Sequence, residues 1–338
     1  MRLKEHIKIA VVGATGLVGK KLVQVLNERG FPLENVMMAA SERSVGKKLE
    51  LENAPFEVQS IQAVLDSKPD VALFSAGGDV SKEWAPAFRD AGIFVIDNSS
   101  AWRMDPNVRL VIPEVNGQHL TFADKLIANP NCSTIQLALV LAPLEKHFGL
   151  ERVVVSTYQS VTGSGQKAVD QLMSEREGKT AQEMAYPYAI DMNCLPHCDD
   201  FQENGYTKEE MKVINESRKI LDKANLPVTA TAIRVPVTGG HSESVNVELN
   251  QQIALDSLRE ALAETPGVVV YDDPEKYQYP MPLNSQEKDE VFVGRIRKDE
   301  SRENCWNMWI VADNLRKGAA TNAVQILELL CANQIVDR

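Results

Sequence analysis

Apolar residues along the chain keep two rhythms. Ile7 to Val12, Val36 to Ala40, Asp70 to Phe74 and Ile93 to Ile96 are short, nearly unbroken apolar runs, as in strands buried on both faces. After the first of them, Leu22, Val23, Val25 and Leu26 recur at helical spacing and stop at Gly30. Strands and helices alternating over residues 7–131 predict an open parallel sheet in an α/β domain. A long helix is expected over Thr134–His147, and beyond it the rhythm changes. Arg152–Ser160 reads as a longer strand, followed by a flexible turn and a helix through Met173. Residues 178–205 are polar, contain Pro187, Pro196 and Gly205, and predict an irregular excursion. Helices over Thr207–Ala224 and Leu255–Ala263 come next in this half. With strands at Val228–Val235, Ser244–Leu249, Val268–Val270, Val291–Ile296 and Trp306–Val311, they predict a mixed, largely antiparallel α+β second domain. The last helix, Gly318–Ala332, is apolar enough to pack back on the first domain. The expected division is residues 1–131 with 315–338, and residues 132–314.

Composition narrows the class. A chain of 338 residues exceeds one small core, and 44% hydrophobic with 25% charged residues is ordinary for a globular protein. The net charge of −11 argues against non-specific binding to nucleic acid or membranes, though not against small anions held by local Arg and Lys. No apolar run approaches the ~20 residues that span a bilayer. Residues 1–8 lack an apolar signal core, and five unevenly spread cysteines suggest no disulfide framework. A cytoplasmic protein with reduced thiols is expected.

Chemistry enters where strands end. Gly13-Ala14-Thr15-Gly16-Leu17-Val18-Gly19 follows the first strand and opens the first helix, the context in which a glycine motif binds a dinucleotide in a Rossmann-type fold. Gly13 suits the tight turn, Gly16 lets a phosphate approach backbone N–H groups, and Gly19 lets the helix pack on the strand. The second strand ends in Ser41-Glu42-Arg43-Ser44, backed by Lys47 and Lys48. Ser41, Arg43 and Ser44 suit the 2′-phosphate of NADP, whereas Glu42 is the acidic group an NAD ribose would use. NADP is favoured. Ser75-Ala76-Gly77, small residues at another strand end, let the cofactor lie close.

Asn129-Pro130-Asn131-Cys132-Ser133-Thr134 is the second such place. Pro130 keeps Asn129 extended, and Asn131 or Ser133 can cap the helix that follows, leaving Cys132 in the first turn or just before it. Backbone N–H groups and the helix dipole there favour a thiolate, the reactive form of cysteine. A buried cysteine acting as a small hydrophobe is the alternative.

These residues, taken with others further on, resemble the aspartate-β-semialdehyde dehydrogenase family. The matching segments are 13–19, Phe74-Ser75-Ala76-Gly77-Gly78, Asp97-Asn98-Ser99-Ser100-Ala101-Trp102-Arg103 and 129–134. Thr157 to Gly165, Arg234-Val235-Pro236-Val237, Gly240-His241-Ser242-Glu243 and Asp313 to Ala319 continue the likeness in order along nearly the whole chain. Glu42 departs from it, because relatives often carry Ala there. The resemblance implies NADPH-dependent, reversible reduction of L-aspartyl 4-phosphate to the semialdehyde, on the route to lysine, diaminopimelate, threonine and methionine. It implies Cys132 as nucleophile, His241 as general acid/base and Gln159 as an orienting group. Arg234 would clamp the substrate carboxylate and Glu209 would meet its ammonium, while Lys212, Arg103 and Asn131 would form the phosphate site. Ser164, Gly165 and Asn314 would join the cofactor site, with Asn314 on the nicotinamide carboxamide. A homodimer or homotetramer built through the second domain's sheet would follow.

From the residues alone, Glu209 and Lys212 also read as a surface ion pair at i,i+3, and Glu210 leaves the register open by one position. An N-acetyl-γ-glutamyl-phosphate reductase is the nearest other enzyme, but its acetylated amine would carry no charge for Glu209 to meet. A silent NADP-binding paralogue would have no need to keep Cys132, Gln159, Arg234 and His241 together. An epimerase would need a Tyr-x-x-x-Lys pair that residues 130–180 lack. Cys194, His197 and Cys198 crowd too tightly for a tetrahedral metal site and have no second ligand pair at zinc spacing, so no metal is expected.

Overall fold

The computed structural model describes residues 4–333, so residues 1–3 and 334–338, which the expected division assigned to the first domain, lie outside the described residues. The chain forms two compact units, one of residues up to Pro130 together with those from Ala319 onward, the other Asn131–Gly318. In the first unit the elements run β1 (Ile9–Val12), α1 (Leu17–Glu28), β2 (Val36–Ala40), β3 (Lys48–Leu51), β4 (Ala54–Ser60), α2 (Ile61–Asp66), β5 (Val71–Phe74) and α3 (Gly78–Asp90). β6 (Phe94–Asp97), β7 (Arg109–Leu110), α4 (Pro113–Asn116) and β8 (Leu126–Ala128) complete its first stretch. The sheet order is β3-β4-β2-β1-β5-β6-β8-β7. Every residue of β1, β5 and β6 is buried, as expected of parallel strands covered on both faces. The sheet is not wholly parallel: β3 and β4 form an antiparallel hairpin at its edge. Its alternation of half-buried and exposed residues, seen in Lys48 to Leu51, carries too little apolar signal to announce a strand.

The second unit holds α5 (Cys132–Phe148), β9 (Leu150–Gln159), α6 (Gln166–Arg176), α7 (Lys208–Ile220), β10 (Val228–Arg234) and β11 (His241–Leu249). α8 (Leu255–Ala263), β12 (Val268–Val270), α9 (Pro282–Ser285), β13 (Val291–Lys298) and β14 (Cys305–Ala312) follow. The sheet order is β10-β9-β11-β14-β13-β12, with three antiparallel and two parallel pairings. Ile135 to Leu141 of α5 are all buried, so this helix is the unit's central core element. α5 starts two residues earlier than the apolar pattern predicts, because Asn131 caps it. The return helix departs from expectation too. Arg316–Ala320 is a π-helical turn, closed by Gly318 N–H on Asp313 O at 3.0 Å, and regular helix α10 begins only at Thr321 and ends at Ala332. Ala320, Ala323, Val324, Ile326, Leu327, Leu330 and Cys331 join the apolar core of the first unit with Val11, Leu22, Leu26, Leu73 and Ile96.

Candidate active site

In the first unit, Gly13 ends β1 with φ of 89°, and a side chain there would strike the backbone of Ser75. The turn leads to α1, whose N-cap, Gly16, offers no side-chain cap, and no acidic residue stands in its first turn. The first N–H groups of α1, from Leu17 and Val18 onward after the half-buried Thr15, therefore face outward at the positive end of the helix. A diphosphate suits that end, so the residues present fit a dinucleotide. Beyond β2, Ser41, Glu42 and Arg43 are exposed, while Ser44 is buried and accepts from Lys47 Nζ at 3.4 Å. Ser75 and Ala76 are half-buried after β5, and Gly77 precedes α3. Arg103 is buried, its guanidinium donating to Asn129 O at 2.9 Å and Asn98 O at 2.7 Å. Asp97 anchors that loop by accepting from Ser81 and Ser99, and burial outweighs these bonds to hold its carboxyl above the usual range.

In the second unit, Cys132 is the first residue of α5 and half-buried. Asn131 Oδ1 accepts from the N–H groups of Ser133 and Thr134 at 3.0 and 3.2 Å, so the cap turns the helix N-terminus about the thiol. Cys132 packs on the π-turn: a methyl added to Gly318 would sit 3.0 Å from Cys132 Cβ. Three strands end at one edge of the sheet. Gln159 closes β9, Arg234 closes the parallel β10 directly opposite, and His241 opens the antiparallel β11. Gln136, one turn beyond Cys132, donates to His241 O at 3.4 Å, tying that edge to α5.

A carboxylate sits at the centre. Glu209 Oε1 accepts from Asn131 Nδ2 at 2.8 Å and Gln159 Nε2 at 3.2 Å, while Oε2 pairs with Lys212 Nζ at 3.1 Å. Burial alone would raise the Glu209 carboxyl, but Lys212, Asn131 and Arg234 outweigh it and hold it below the usual range. Lys212 is held above its own range despite burial, by Glu209 and by Asp199 at 2.7 Å. Arg234 is buried with Nη1 on Ser160 O at 2.7 Å, and its Nε has no hydrogen-bond partner among the described residues. His241 is fully buried, its Nδ1 accepts from Ser160 N–H at 3.0 Å, and its Nε2 likewise has no partner among the described residues. Burial, and then the Arg234 charge, push the His241 ring down to about 3. A methyl on Gly163 would lie 3.1 Å from both Arg234 Nη1 and His241 Nε2, closer than ordinary contact, so both side chains pack directly on this glycine. Ser164 and Gly165 lie in the turn before α6, and the buried Asn314 accepts from Thr162 Oγ1 at 3.0 Å.

The structure separates two neighbours that the sequence could not. Glu210 closes a capping box with Thr207 and accepts from Ala232 N–H, so its carboxylate is occupied by the scaffold and Glu209 alone faces the cluster. Other contributors went unread. Glu216 accepts from Asn131 N–H at 2.7 Å, and its spacing of two helical turns from Glu209 was the available signal. The 178–205 excursion is fastened to the site by contacts with no local signature. Leu195 pairs with Arg234 through both backbone bonds, the Tyr186 ring lies 5.8 Å from the Arg234 guanidinium, and Asp199 holds Lys212. Cys198 is buried nearby and its thiol is pushed up to about 11, chiefly by burial; Cys194 is exposed, and the His197 ring stacks on Phe201.

Comparison with known proteins agrees with this geometry. The family model for a semialdehyde dehydrogenase NAD binding domain matches residues 8–123, and that for a semialdehyde dehydrogenase dimerisation domain matches residues 141–317. A dinucleotide-binding unit joined to a cysteine-bearing unit of this kind defines the class: a semialdehyde dehydrogenase. Aspartate-semialdehyde dehydrogenase of Aquifex aeolicus is 50% identical over 337 residues, covering 97% of this chain and 99% of the relative, and that of Bacillus subtilis is 45% identical over 96% and 97%. The crystal structure of aspartate semialdehyde dehydrogenase II of Vibrio cholerae complexed with ASA is similar at a TM-score of 0.91 and 41% identity, over 97% of this chain and 99% of that one. The chain belongs to the aspartate-semialdehyde dehydrogenase family.

Proposed function

We propose that the protein reduces L-aspartyl 4-phosphate to L-aspartate 4-semialdehyde and phosphate, reversibly and with NADPH, in the biosynthesis of lysine, diaminopimelate, threonine and methionine. One observation carries this reading: two buried groups, Arg234 Nε and His241 Nε2, lack hydrogen-bond partners among the described residues, in the unit where Cys132 opens α5. Donors so placed suit a carboxylate and a carbonyl oxygen that gains charge. In the oxidative direction the Cys132 sulfur attacks the aldehyde carbon and gives a thiohemiacetal oxyanion. A nicotinamide cofactor held by the Gly13–Val18 turn would supply the hydride acceptor for that carbon. The carbonyl re-forms as a Cys132 thioester, which phosphate attacks, expelling the thiolate and releasing the acyl phosphate. Arg234 holds the substrate α-carboxylate, and Glu209 meets the α-ammonium with its charge preserved by Asn131 and Lys212. Gln159 orients Glu209 and the substrate, and Lys212, Arg103 and Asn131 receive the phosphate. His241 serves the oxyanion.

In the cofactor half, Gly13, Thr15, Gly16, Leu17 and Val18 hold the diphosphate, Ser41, Arg43 and Ser44 the 2′-phosphate, and Ser75, Ala76 and Gly77 the cofactor beyond it. Ser164, Gly165 and Asn314 complete the nicotinamide end. The enzyme works as a cytoplasmic homodimer or homotetramer, in keeping with the match to a dimerisation domain and with cysteines that form no disulfide.

Purified protein should reduce NADP with L-aspartate-β-semialdehyde only when phosphate is present, and Cys132→Ala should abolish it. Turnover without phosphate, or turnover that survives in Cys132→Ala, would overturn the thioester route. Equal rates with NAD would overturn the NADP preference that Ser41, Arg43 and Ser44 support against Glu42.

A further inference from the structure

Residues 178–205 form no helix or strand of their own, yet they hold two groups of the site. Leu195 donates to Arg234 O at 2.9 Å and accepts from Arg234 N–H at 2.8 Å, and Asp199 pairs with Lys212 at 2.7 Å. An irregular segment keeps a fixed course only where something satisfies its peptide groups. Here α6 does so from the side. Gln171 is fully buried, and its Oε1 accepts from the N–H groups of Ala185 and Tyr186 at 2.7 and 3.1 Å. One turn on, Glu175 Oε2 accepts from Ile190 and Asp191 N–H, both at 2.8 Å. Gln171 Nε2 donates to Glu175 Oε1 at 2.8 Å and to Tyr188 O at 3.1 Å, which joins the two side chains into one clasp. Burial alone would lift the Glu175 carboxyl. The Asp191 N–H, the Gln171 amide and the Ile190 N–H outweigh it and hold the group below the usual range, so it is ionised at neutral pH. Apolar packing backs the clasp, because Ile190 and Leu195 are buried with Val161, Ala168 and Leu172.

The Gln171 amide has one workable orientation. Two peptide N–H groups converge on its oxygen, so its NH2 faces Glu175 and needs an acceptor there. We propose that Gln171 and Glu175 are positioning residues for the binding of substrate and phosphate. The clasp fixes residues 185–191, these lead the chain into Leu195 and Asp199, and those two hold Arg234 and Lys212 ready for the α-carboxylate and the phosphate. This rests on the roles proposed above for Arg234 and Lys212. A side chain that must first be ordered binds its anion more weakly, because the ordering subtracts from the binding energy. Gln171 and Glu175 act through other residues and not on the reacting atoms, so their loss shows in binding and not in the chemical step.

Glu175→Gln sets one NH2 against another and breaks the clasp. KM for L-aspartate-β-semialdehyde and for phosphate should each rise about tenfold, as for one or two lost hydrogen bonds, with kcat and the KM for NADP little changed. The double variant Gln171→Glu/Glu175→Gln reverses the donor between the two side chains. It keeps five of the six bonds, losing only that to Tyr188 O, and should bring both constants back towards wild type. A purely structural defect would lower kcat at unchanged KM. Unchanged KM in Glu175→Gln, or a double variant no better than the single one, would overturn the proposal. Should Glu175→Gln fail to fold, hydrogen exchange in wild type decides. Inorganic phosphate, at concentrations that saturate turnover, should slow exchange at the amides of Ala185, Tyr186, Ile190 and Asp191, because a ligand on Lys212 and the clasp stabilise one another. Exchange unmoved by phosphate would overturn it. Absence of semialdehyde turnover in wild type would instead overturn the reaction proposed for the site, and with it the roles on which the clasp acts.

Discussion

Glu209 and Glu210 are chemically identical neighbours on α7, yet one faces reactive groups and the other closes a helix. Glu209→Gln removes the charge proposed to meet the substrate ammonium, and kcat/KM should fall about 10–100-fold, as for a lost charged hydrogen bond. Glu210→Gln keeps the shape of the capping box and should cost about 1 kcal/mol in denaturant melts with little change in kcat/KM. Reversal of these two outcomes would mean that the register has been misassigned. Gly163→Ala tests this close packing, because a methyl there stands 3.1 Å from Arg234 and His241 and would push them aside. It should leave the melting temperature near that of wild type and lower kcat/KM by about 10²-fold, the scale expected for a small misplacement of reacting groups. At this scale the place of Cys132 at a helix start and its capping asparagine were legible, because Asn-Pro-Asn before a helical pattern announces them, whereas His241, expected in a turn, opens strand β11. Ser160, Asp199 and Glu216 were not legible: each acts through a partner at least 13 residues away in sequence.

Asn131 joins two elements, since its Oδ1 caps α5 while its Nδ2 holds Glu209 on α7. Replacement by alanine should cost about 1 kcal/mol for the cap, read in a chemical melt, and depress turnover further than stability alone explains. Full activity in Asn131→Ala would show that the Glu209 carboxylate needs no such restraint. Alternating apolar runs made the parallel strands and their helices readable element by element. The β3–β4 hairpin escaped notice because an edge pair half in solvent carries only weak alternation. The π-turn escaped for a different reason: Asp313 turns the chain by accepting from Leu315 and Arg316 N–H, a local competition that apolar periodicity does not register.

Across the whole molecule, the site shapes the pH dependence of stability. His241 is pushed down to about 3 from 6.5, so the unfolded chain binds its proton more readily, and stability is lost as pH falls below about 6.5. Glu243 is held above 4.5 and keeps its proton only when folded, so its contribution is lost as pH rises beyond about 4.5. Above about pH 4.5 the two contributions oppose one another, and below it that of His241 acts without its opponent, at about 1.4 kcal/mol per pH unit. Glu209, held below 4.5, steepens the acid side. Denaturant titrations should find stability falling as pH drops below about 4.5, and Glu243→Gln should make stability rise more steeply with pH above about 4.5 than in wild type. An unchanged profile in that variant would rule out the Glu243 contribution.

The chain leaves its first unit at Pro130 and re-enters it at Ala319, and α10 supplies six residues of that unit's apolar core. Synthesis from the N-terminus at about 5–20 residues per second therefore completes the second unit while the first still waits for its last helix. A ribosome stalled just after Gly318 would display a sheet with an uncovered apolar face, the kind of surface that chaperones hold and proteases cut. Chains truncated at Gly318 should show this in limited proteolysis, with the segment before Pro130 cut first and Asn131–Gly318 surviving longer. The newborn enzyme thus acquires its thiol before its dinucleotide fold is sealed, and the final dozen helical residues act as the latch of the whole synthesis.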